Sequence, residues 1–123
     1  EAAVSVLRQV FDRGAILRKE LERITSILVE RYCPERIILF GSLADEISSG
    51  QDRVHQWSDI DLAIVKETPL RFFDRIGQVL KLVEPRVAVN ILIYTPEEFN
   101  RAERAGSFFV KDEILKRGHG LFP

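Results

Sequence analysis

The run Ile37-Ile38-Leu39-Phe40-Gly41-Ser42, followed after a polar loop by Trp57-Ser58-Asp59-Ile60-Asp61-Leu62-Ala63-Ile64-Val65, decides the reading of this chain. It reads as an apolar strand ending in Gly-Ser, then a second strand that opens on two carboxylates. Side chains at i and i+2 of a strand share a face. Asp59 and Asp61 therefore point one way, and Ile60, Leu62 and Ile64 point the other, into a core. Like charges side by side repel, and the commonest reason to keep such a pair is a divalent cation between them. Magnesium takes hard oxygen ligands, usually one or two carboxylates plus substrate phosphates. Gly41 lets the chain turn tightly and approach a ligand. Ser42 is expected to cap a short helical turn over Leu43-Ala44-Asp45-Glu46, whose backbone N–H groups would attract phosphate. Each signal alone is commonly a turn or a polar edge. In this order, a phosphate cradle beside a carboxylate pair points to nucleoside triphosphate chemistry.

The rest of the chain sets the frame. Its 123 residues predict one domain with a modest core. An apolar fraction of 46% and a charged fraction of 30% are those of a soluble globular protein. A net charge of −1 supplies no basic field for tracking nucleic acid. Cys33 is the only cysteine, which excludes an internal disulfide and suggests a reducing, cytoplasmic setting; it reads as a small apolar residue at a helix end. No run is long enough to span a membrane.

In chain order, residues 1–14 read as a helical extension that Gly14 separates from the domain at 15–123. Leu17, Leu21, Ile24 and Leu28 form the stripe of an amphipathic helix stopped by Pro34. Arg36 to Phe40 is an apolar strand buried on both faces, and residues 47–57 read as loop. Within that loop His55 reads as solvated, Arg53 as a surface charge, and Trp57 as a plug of the core edge or a base-stacking ring. After the strand Asp59 to Val65, Thr68-Pro69 should open a helix that runs to Val83. A strand Val87 to Tyr94 follows. Thr95-Pro96-Glu97-Glu98 is a capping box with proline at the first position, and that helix should end near Ala105-Gly106. Ser107 should cap a last helix to about Arg117, with His119 incidental in the closing segment. The pattern is α/β: a small mixed sheet with helices packed on it.

The run Leu39-Phe40-Gly41-Ser42 … Ser58-Asp59-Ile60-Asp61-Leu62 resembles the signature of the DNA polymerase beta-like nucleotidyltransferases, in particular the small stand-alone minimal nucleotidyltransferases. The likeness covers roughly residues 15 to 122. It implies the polymerase beta-like fold and a magnesium-dependent transfer of a nucleoside monophosphate, AMP from ATP, to a protein or small-molecule acceptor. It further implies a two-metal site on Asp59 and Asp61, with Gly41 and Ser42 on the β- and γ-phosphates. Members of this kind often act as antitoxins beside a helical HEPN-type toxin, which makes such a protein, or a second copy of the chain, the expected partner. This chain departs from the pattern in a longer loop after Ser42 and in Leu43, where a basic residue is usual. It also departs at Asn90, which stands at the position of the family's third, proton-accepting carboxylate. Asn brings neither charge nor a useful base. A catalytically impaired nucleotide-binding or partner-binding antitoxin module is therefore the alternative expectation, unless Glu84 or Asp52 replaces the missing acid.

Overall fold

A computed structural model describes residues 13–50 and 59–123. The first described helix, α1 (Arg13–Ile27), continues into a π-helical turn, Leu28–Tyr32. Then come β1 (Arg36–Phe40), α2 (Gly41–Ser49), β2 (Ile60–Val65), α3 (Phe72–Val83), β3 (Val89–Tyr94) and α4 (Pro96–Arg104). A π-helical closing helix, Phe109–Lys116, leads into β4 (His119–Phe122). The strands form one sheet in the order β3-β2-β1-β4. β1 is antiparallel to both of its neighbours, and β2 runs parallel to β3.

The period of two in the strands divides the core. Ile37 and Leu39 of β1, Ile60, Leu62 and Ile64 of β2, and Ile91 and Ile93 of β3 pack against the α1 stripe Leu17, Leu21, Ile24 and Leu28. Val79 and Val83 of α3 close this layer. On the opposite face Ile38, Phe40, Ala63 and Val65 pack against Phe99 of α4 and against Val110 and Ile114 of the closing helix. The chain is thus mixed α/β with helices on both faces of a four-stranded sheet. Each fully buried Leu or Ile is worth about 1.5–3 kcal/mol of transfer free energy, so the residues that alternate along β1 and β2 hold both layers at once.

Several sequence expectations are corrected. Gly14 is itself helical, buried in the first described turn of α1 beside Arg18 and Glu46. Residues 1–12, and with them most of the expected extension, lie outside the described residues. Ser42 is not a helix cap. The N-cap is Phe40, in extended conformation and without a side-chain bond, and Ser42 already sits in the first turn. Ile47, Ser48 and Ser49 are helical rather than loop, because α2 runs until Gly50 (φ 70°) returns its N–H to Glu46 O. Thr68-Pro69 does not open α3. The Thr68 hydroxyl instead accepts the N–H of Leu70 at 3.2 Å in a local turn, and the helix begins at Phe72. Cys33 stands at a helix end but is exposed, in the left-handed conformation (φ 56°). His119 opens a fourth strand that the glycines around it concealed.

A well-connected polar side chain is Arg75, buried in α3. Its guanidinium donates to Leu70 O (2.8 Å), to Ile93 O (3.1 Å) and, through two nitrogens, to the Glu98 carboxylate (2.6 and 3.2 Å). Glu98 also completes the capping box of α4, accepting the Thr95 N–H while its own N–H donates to the Thr95 hydroxyl. One arginine thereby ties α3, β3 and α4 together. The side-chain bond from Arg75 holds the Glu98 carboxyl below its ordinary value of 4.5. A lowered acid stabilises the fold fully above its unfolded pKa, and that contribution is lost as pH falls through the folded value. Arg75→Met is expected to cost about 2 kcal/mol at pH 7 and less at pH 3. Urea unfolding at both pH values measures this, and an equal loss at both would remove the ion pair from the account.

Candidate functional site

The parallel register of β2 on β3 sets Asp61 directly beside Asn90, and Ile60 beside Val89. Asp61 shares its sheet face with Ala63 and Val65, and Asp59 lies one alternation earlier at the mouth of the strand. The amide of Asn90 donates to both carboxylates, to Asp61 Oδ1 at 2.8 Å and to Asp59 Oδ2 at 3.2 Å. The two aspartates and the asparagine expected from the sequence therefore meet at one point. That point is at the end of β2 and β3, with Asn90 exposed and the two aspartates partly buried.

β1 delivers the other half. Phe40 is the register partner of Asp61, so Gly41, the next residue, arrives at the same level of the sheet. Gly41 adopts φ 79°, where a side chain is strained. A Cβ there would collide with Asp61 Oδ2 and stand 3.1 Å from its Cγ. Only glycine lets the first turn of α2 pass this close to the carboxylate. The positive end of the α2 dipole stands beside the aspartates, and Ser42 lies one residue further into that turn.

The charges are balanced only in part. Burial pushes the Asp61 carboxyl above its ordinary value, the nearby Asp59 charge adds to this, and the Asn90 hydrogen bond opposes it. Asn90 therefore acts as a neutral clamp, offering one N–H to each of two repelling carboxylates. Of the other residues considered from the sequence, the described one, Glu84, does not join them. Glu84 caps α3 in the left-handed conformation and gives its carbonyl to Arg23 of α1, on the opposite layer. Asp52, Arg53, His55 and Trp57 lie outside the described residues.

Asp59 and Asp61 could hold a hard cation. Their oxygens already converge on one amide nitrogen, and two carboxylates with one neutral amide suit a single magnesium completed by water or phosphate oxygens. For the Asn90 amide to join them as a ligand it would have to turn its oxygen inward, surrendering both hydrogen bonds. Among the described residues no three His, Cys, Asp or Glu side chains cluster as a metal site. A cavity of about 680 Å3 between Ile16, Lys19, Arg23 and Arg86 lies along α1 on the far layer. Its Arg23 is already neutralised by Glu20, at 2.7 and 2.8 Å.

Comparison with protein-family models, with curated proteins and with solved structures finds no match. The fold and the site define a class: a mixed α/β domain whose sheet carries, at one end, a carboxylate pair clamped by an amide beside a helix N-terminus. No described helix is long and apolar enough to cross a membrane.

Proposed function

We propose that this protein is a magnesium-dependent nucleotidyltransferase of the polymerase beta-like kind. It takes a nucleoside triphosphate, ATP in the simplest case, and transfers the nucleoside monophosphate to a hydroxyl of a protein or small-molecule acceptor. One observation carries the reading: Asp59, Asp61 and Asn90 converge where Gly41 brings the start of α2 against them. In the reaction the acceptor oxygen bonds to the α-phosphorus and gives up its proton to solvent water, the bond from that phosphorus to the bridging oxygen breaks, and pyrophosphate leaves with the electron pair. Magnesium, when bound, supplies charge neutralisation for the phosphate oxygens. Asp59 and Asp61 hold it, and the first turn of α2 at Gly41 and Ser42 receives the β- and γ-phosphates. Asn90 orients the carboxylates but takes no proton, so position 90 brings positioning rather than a base.

That last feature favours a second reading. With Asn90 compensating the pair, the domain serves as a nucleotide-binding antitoxin module that acts on a helical HEPN-type partner by contact rather than by turnover. Calorimetric titration of ATP with and without magnesium tests the ground shared by both readings. Magnesium-dependent binding is expected, and no binding in either condition would overturn both. Transfer of label from α-labelled ATP to the partner then separates them.

Gly41→Ala gives a local check. The forced positive φ costs about 1–2 kcal/mol, and the displaced Asp61 carboxylate should weaken magnesium-dependent ATP binding as well. Denaturant unfolding and calorimetry on the same variant measure the two effects. Lost stability with unchanged affinity would put Gly41 outside the phosphate site.

A further inference from the structure

We propose that Phe109, at the start of the closing helix, is the platform on which the nucleobase stacks. This rests on the reading of Asp59 and Asp61 as the magnesium–triphosphate site and adds the base subsite that the carboxylates and α2 leave unassigned.

The geometry begins at Phe40. It is the register partner of Asp61, so the two side chains stand side by side on one face of the sheet, with Cβ atoms about 5 Å apart in such pairs. The Phe109 ring packs on Phe40 with centroids 5.5 Å apart and planes at 86°. Phe109 thus lies two side-chain steps from the Asp61 carboxylate, on the β1 side, a separation that a nucleoside bridges between its α-phosphate and its base.

Phe109 is also free enough to serve. It remains 39% exposed, although its neighbour Val110 and the underlying Phe40 are buried. A perpendicular contact with Phe40 engages at most one face of the Phe109 ring and leaves the other turned away. Phe108, the preceding residue, is 68% exposed. Exposed phenylalanine is unfavourable in water, and here two fall at the one end of the closing helix that reaches the site. Among the described residues the other strongly exposed ring, Phe73 at 81%, belongs to α3, whose buried residues pack on the opposite layer. A phenylalanine face offers no hydrogen bonds, so the platform accepts any base by its π surface.

The test compares two ligands on three proteins. Mg·ATP and Mg·tripolyphosphate, which has no base, are titrated into the parent chain, Phe109→Ala and Phe109→Leu. Stacking on one aromatic ring is worth about tenfold or more in affinity. Phe109→Ala should therefore weaken Mg·ATP about tenfold and leave Mg·tripolyphosphate unchanged. Phe109→Leu keeps apolar packing on Phe40 without a ring face and should show most of the same selective loss. Unchanged ATP affinity in both variants would overturn the platform alone, as would an equal loss for both ligands. If the parent chain binds neither ligand, the triphosphate site itself falls, and the platform with it.

Discussion

Asp61→Asn is expected to abolish the proposed magnesium-dependent ATP binding and to raise the stability of the ligand-free protein at neutral pH. The two effects share one cause. Asp61 is the partly buried carboxylate of the pair, and burial and the Asp59 charge both raise its pKa. A folded pKa above the unfolded one means that the folded state binds the proton more tightly. The group then costs stability as pH rises from the ordinary value of 3.8 through the folded value. Asn at position 61 keeps an oxygen to accept the Asn90 N–H, now at 2.8 Å from Asp61 Oδ1, and removes the charge. It also removes one of the two carboxylates proposed to hold magnesium. Changes that act only through another residue already cost about 10–100-fold in metal affinity, so losing the ligand itself should cost at least about a hundredfold. Calorimetry and thermal unfolding without magnesium, at pH 7 and pH 4, read the two halves. The stability gain should shrink toward pH 4. Retained magnesium-dependent binding would refute the assignment of Asp61.

Asn90→Asp has the opposite signature. It replaces the clamp by a third carboxylate at the register position beside Asp61. Without metal, two hydrogen bonds become repulsions, and a loss of about 1–3 kcal/mol of stability is expected. With magnesium the third charge becomes a ligand, and binding to the folded state restores stability by mass action. A carboxylate there can also take the acceptor proton, and a positioned general base contributes about a hundredfold or more. Label transfer from ATP should rise by that order, and the magnesium-induced rise in melting temperature should exceed that of the parent chain. Unchanged transfer together with no added response to magnesium would show that position 90 is not where the missing acid belongs. A gain in magnesium response without a gain in transfer would favour the nucleotide-binding module over the transferase.

These two variants probe the part of the site that the sequence made legible. Asp59 and Asp61 could be put on one face, and Ile60, Leu62 and Ile64 in the core, because strand alternation is a local geometric rule. The bounds of β1 coincide with the apolar run from Arg36 to Phe40 for the same reason. The Thr95–Glu98 capping box formed as its spacing required, since both partners lie within one turn. Where a local rule had a local competitor, the sequence misled. Thr68 chose a turn with Leu70 over a helix cap, and Ser42 was carried into α2 because the sharp turn fell at Gly41 itself.

Composition, alternation and capping by themselves determined the α/β class, the first strand, and the pairing of two carboxylates on a single face. They did so because each depends on residues a few positions apart. Only the tertiary structure decided the sheet order, the fourth strand at His119, the meeting of Arg75 with Glu98, and the Asn90 amide clamped between the aspartates. Each of these joins residues far apart in the chain. Register between distant strands is chosen by the burial of whole faces, and no short stretch of sequence carries that information.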